Sequence, residues 1–147
     1  MTAVAPLARL LAQQVLQQES GGRVDALALA LATERADERL RRQMTAVVGQ
    51  AGYTALVSRA LYLAQQDFPA LQGVLVDAQA AGGLQGLREV AGASAGDLDG
   101  IRAGLSAILA QLFSLLVLFL GEELTLRLAY VVWPDLAETT RGAEEDG

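Results

Sequence analysis

The chain has no cysteine, no histidine, no lysine and no asparagine, and all eleven of its basic residues are arginine. Each absence removes chemistry. Without cysteine there is no disulfide, no thiolate nucleophile and no zinc–thiolate site. Without histidine the commonest general base and the commonest transition-metal ligand are both missing. Without lysine there is neither a Schiff base nor a phosphate-loop lysine. Aromatic residues make up only 5% of the chain, and β-branched residues are scarce. That leaves strands little of their preferred material.

Leu and Ala fill the gap and dominate a hydrophobic fraction of 52% in 147 residues. Both are strong helix formers, and the length suits one domain with a real core. The expected fold is all-α: a single-domain bundle of five or six helices around a hydrophobic central helix at about 97–120. The bundle is expected to span residues 1–134, with residues 135–147 as an acidic, flexible tail. An Arg-only basic set among abundant Ala and Gly suits a GC-rich, bacterial genome. The net charge of −6 argues against nucleic acid as a partner, because phosphate contacts need a basic face. The opening segment MTAVAPLARLLAQQVLQQE carries Arg9 where a signal peptide would be apolar. It reads as an amphipathic helix, and a cytoplasmic location is expected.

Helical spacing places Leu7, Leu10, Leu11 and Val15 on one stripe of a helix from Pro6 to about Glu19, ended by Ser20-Gly21-Gly22. A second helix opens near Asp25. It contains a charge block, Glu34 to Arg42, whose pairs Glu34–Arg41, Asp37–Arg41 and Glu38–Arg42 suggest a solvated face or a charged docking surface. Gly49 and Gly52 mark a break before YTALVSRALYLAQQ. Residues 69–83 read as an ordered loop, since Val74-Leu75-Val76 has no obvious strand partner. A short helix over GLQGLREVA follows, and Ser94 with Asp97 suggests a capping box at the start of the long helix. Gly121 interrupts that helix, and Pro134 ends the helical pattern.

Residues 103–121, AGLSAILAQLFSLLVLFLG, contain no charge and are long enough to span a bilayer. Their small residues, with Ser106, Ala110 and Ser114 at i, i+4, i+8, gather on one arc, expected to be where a neighbouring helix packs closest. The flanks lack a basic cluster, and three amphipathic helices need a partner, which favours burial in protein over insertion in lipid.

No catalytic, metal or cofactor site is expected. The adjacent acidic pairs Glu122-Glu123 and Asp97-Asp99 point apart on a helix, and no EF-hand loop is present. The remaining candidates are interaction residues. Arg59 and Arg127 are lone charges in apolar helices, and Glu123–Arg127 is an i,i+4 pair in the favourable order. Tyr130 and Trp133 form a bulky cluster that either anchors a partner or covers one end of the core. The expected function is a non-enzymatic protein–protein interaction or regulatory adaptor module, self-associating, with an unidentified protein partner and no cofactor. The alternative is a membrane-inserting or pore-forming protein whose helix 103–121 is sheathed in the soluble state. That layout resembles in outline the pore-forming colicin and Bcl-2-like bundles, in the sheathed apolar helix alone; no motif residues carry over.

Overall fold

The computed structural model describes residues 4–77 and 83–136, and the expected acidic tail lies outside them from residue 137 onward. Helix α1 spans Pro6–Ser20, with Pro6 in its first turn. The Gly21 and Gly22 amides close it onto the Gln18 and Gln17 carbonyls. Helix α2 spans Ala26–Asp67. Asp25 caps its start, accepting a hydrogen bond from the Ala28 amide at 3.2 Å. Gly49, at φ 80° and ψ 164°, breaks α2 into two arms. That backbone geometry is available essentially to glycine alone. The second arm resumes at Gln50, so Gly52 lies inside it rather than in the break.

A 3₁₀ turn, Pro69–Gly73, leads into strand β1, Leu75–Asp77, which pairs antiparallel with β2, Gly83–Gln85. Here the expected loop over 69–83 is corrected. The partner strand is GLQ, which helical pattern reading had assigned to the next helix. Helix α3 begins only at Leu87 and runs to Ala93. The start of α4, Leu98–Leu120, also differs from expectation. Asp97 caps it by accepting from the Gly100 amide at 3.1 Å, and Ser94 belongs to the turn before it. Helix α5 spans Glu122–Val132 after the Gly121 corner. Among the described residues the bundle is all-α apart from one short hairpin.

Helix α4 packs against both α1 and α2. Leu105, Ile108, Leu109 and Phe113 are fully enclosed, as are Leu11, Leu40, Met44 and Tyr53 from the surrounding helices. Gly104 is also buried, and a Cβ there would meet the Leu71 side chain at 3.4 Å, so the glycine lets the 3₁₀ turn approach. The arc of small residues on α4 is not the side of closest packing. Gly104 and Ala110 are enclosed, but Ser106, Ala107 and Ser114 are only half-buried and Ala103 is exposed. The bulky arc carries the larger share of buried area, so it faces the core. Leu136, beyond Pro134, is buried as well.

Candidate functional site

Among the described residues, two carboxylates are taken out of water, and neither stood out as a site in the sequence. Asp37, 3% exposed, accepts a hydrogen bond from the Tyr53 hydroxyl at 2.7 Å and another from the Leu84 amide at 3.1 Å. It therefore ties both arms of α2 to the β-hairpin. Burial raises its pKa above the ordinary aspartate value, although the bonds from Tyr53 and Leu84 and the nearby Arg41 partly oppose this. Burial and the adjacent Asp37 carboxylate push the Tyr53 hydroxyl well up, which keeps it a proton donor. The signal for Asp37 was present in the spacing. Thr33, Asp37, Leu40 and Met44 fall on one helical stripe, and all four are buried.

Glu19 is the second. Its side chain is 7% exposed and meets Arg39 at 2.8 Å and Arg35 at 3.5 Å. The same carboxylate accepts from the indole N–H of Trp133 at 2.7 Å. This knot fastens the end of α1 to α2 and to the residue that follows α5. Much of the charge block is thus turned inward or used to cross-link elements. Of the pairs expected within it, Glu38–Arg42 forms at 2.7 Å and the Arg41 charge acts on Asp37, while Glu34 holds Arg88 of α3 through a two-pronged contact.

The five candidate interaction residues divide between surface and core. Trp133 is 1% exposed, packed edge-on against Phe113 with ring centroids 6.4 Å apart. It covers one end of the core. Tyr130 is half-buried beside that core. Glu123 and Arg127 form an exposed ion pair at 2.8 Å, which is worth little in water. Arg59 lies on the second arm of α2 with its guanidinium 5.5 Å from the Tyr62 ring centre. The structure does not bring Arg59 to Glu123, whose partner is Arg127 on its own helix.

The surface around Gly121 has a different character. Leu118 and Phe119, in the last turn of α4, are 76% and 68% exposed, and Leu124 and Val131 of α5 are exposed too. Leu124 and Val131 are seven residues apart and so share one side of α5. Meanwhile the two fully buried side chains of α5 are the small Thr125 and Ala129. Thr125 and Ala129 seat α5 on the bundle with Leu126, Leu128, Tyr130 and Val132 half-buried against the core, while Leu124 and Val131 point away from it. The result is an apolar shoulder at the α4–α5 corner, flanked by Glu122, Glu123 and Arg127.

The described surface includes two sizeable depressions. One, of about 530 Å³, is polar and lies between Asp37, Arg41, Arg88 and the β2 segment. The other, of about 480 Å³, lies between α1, the α1–α2 turn and the start of α4. Among the described residues, no three His, Cys, Asp or Glu side chains come together as a metal-binding group. No protein-family model matches this chain, and no match is found among curated proteins or solved structures.

Proposed function

We propose that the protein is a non-enzymatic helical interaction module that works in the cytoplasm and self-associates through the apolar shoulder at the α4–α5 corner. The observation that carries this reading is the exposure of Leu118 and Phe119, with Leu124 and Val131 beyond the corner. Large apolar side chains gathered on a surface mark interaction sites. A closed dimer would require this patch to meet itself. The flanking Glu122, Glu123 and Arg127 offer charges of both signs, which a self-complementary contact requires.

Light scattering and sedimentation across a range of protein concentrations test it. The wild type is expected to associate, and the Leu118→Asp/Phe119→Asp variant to be monomeric with an unchanged circular dichroism spectrum. A wild type that stays monomeric at every concentration sinks the proposal.

A second reading places a lipid bilayer at the same shoulder. Among the described residues, α4 is the one helix long and apolar enough to cross a membrane. Its exposed end would be the point where contact with lipid begins. Vesicle flotation and dye leakage separate the two readings. Leakage that depends on Phe119 would make lipid the partner, whereas dimerisation without leakage would favour protein.

A further inference from the structure

The depression between α1 and α4 lies apart from the shoulder and takes no part in the proposed self-association. Its floor is apolar, formed by Leu16 and Leu29, and Val24 of the α1–α2 turn adds an exposed apolar wall. Around this floor stand Gln13, Gln17, Ser106, Asp99 and Arg102. None of these five side chains makes a hydrogen bond or ion pair with another described residue. The fold thus converges polar groups on an apolar floor without using them itself. That combination, at about 480 Å³, is within the range of small-molecule pockets, roughly 300–1,000 Å³.

The charges narrow the ligand. Arg23, on the rim, is already paired with Asp25 at 3.3 Å. Arg102 is the one cation of the lining that is uncommitted among the described residues, and its planar fork suits a carboxylate. Asp99, one turn earlier on α4, and a net charge of −6 disfavour a second negative charge on the same ligand. We infer that this groove binds a small amphipathic monoanion: an apolar body over Leu16, Leu29 and Val24, and a single carboxylate on Arg102. The Gln13 and Gln17 amides and the Ser106 hydroxyl supply further donors near that carboxylate.

The probe is dodecanoate below its micelle concentration, titrated into the full chain and followed by NMR and calorimetry. Saturable binding is expected, with shifts confined to the Gln13 and Gln17 side-chain amides and the Gly22 amide. Arg102→Gln removes a charge-assisted contact and is expected to weaken binding by about tenfold or more. Ala103→Phe, which fills the groove from an exposed helix position, is expected to abolish it. Methyl dodecanoate, lacking the charge, should bind as weakly to the wild type as dodecanoate does to Arg102→Gln. Both substituted positions are exposed, and Arg102→Gln alone decides should the bulkier variant lose its fold. The inference fails if binding does not saturate, if Arg102→Gln binds equally well, or if the shifts centre on Leu118, Phe119 and Leu124. That last outcome would mean adsorption on the apolar shoulder.

Discussion

Leu109 and Leu118 belong to one helix, differ by nine positions and are the same residue, yet one is wholly buried and the other 76% exposed. Over the first two-thirds of α4 the bulky face is covered by α1 and α2. Its last turn reaches past them and is left to the Gly121 corner. A second pair makes the same point with charge. Asp37 is sealed between α2 and the hairpin, while Glu123 faces water beside Arg127. Residue type alone predicts neither difference. What separates the members of each pair is whether another element of the chain reaches that part of the helix.

The sharpest way to break this comparison is to truncate the two leucines. Leu109→Ala is expected to lose about 2–5 kcal/mol in chemical denaturation, because it leaves a cavity in a close-packed region. At protein concentrations low enough to keep the chain monomeric, Leu118→Ala should stay within about 0.5 kcal/mol, as surface changes usually do. Comparable losses at both sites would mean that the shoulder is already covered by another molecule in solution.

The two glycine corners sharpen it further. Gly121, at φ 86° and ψ 160°, nearly repeats the geometry of Gly49. Alanine at either position should cost about 1–3 kcal/mol, from backbone strain alone. Much less at Gly121 than at Gly49 would show that α4 and α5 can straighten into one helix, which would strengthen the lipid reading.

The buried carboxylate is tested by removing its donor and then its charge. Tyr53→Phe leaves Asp37 with one hydrogen bond fewer and should cost about 1–3 kcal/mol by thermal or chemical unfolding. For Asp37→Asn the pH dependence is informative. The folded pKa of Asp37 is raised, so the folded state holds its proton more tightly than the unfolded chain does. Its stabilising contribution is complete below the ordinary value of 3.8 and is lost as pH climbs through the raised value. The stability of the wild type relative to Asp37→Asn should therefore fall with rising pH across that window. A flat difference would mean that Asp37 titrates as an exposed aspartate does. The smallest effect is expected at the exposed carboxylate, where Glu123→Gln should change stability by no more than about 0.5 kcal/mol.

The helices were legible because Leu- and Ala-rich periodicity and strong punctuation point the same way. Pro6, Asp25, Gly49, Gly121 and Pro134 each fall at or beside an element boundary. The hairpin was harder to read, since Val74-Leu75-Val76 has no alternating pattern and its partner GLQ is neither β-branched nor aromatic. Pairing between strands is a long-range property that neither segment carries alone. The inward role of Asp37 could be read from its place on the Thr33–Met44 stripe, but a charge block disguised it. The Glu19 knot could not be read at all, because its indole donor lies 114 residues away in the chain. The groove at Arg102 was equally hidden, for residues of α1, the α1–α2 turn, α2 and α4 build it together.

Composition and periodicity by themselves determined the helical class, the corners and the central apolar helix, because these depend on local propensity and on spacing within one turn or two. Only the tertiary structure decided which leucines are core and which are shoulder, which carboxylates lose their water, and that Trp133 closes the core. Those outcomes depend on which neighbour covers a side chain, and coverage is set by contacts between segments far apart in sequence.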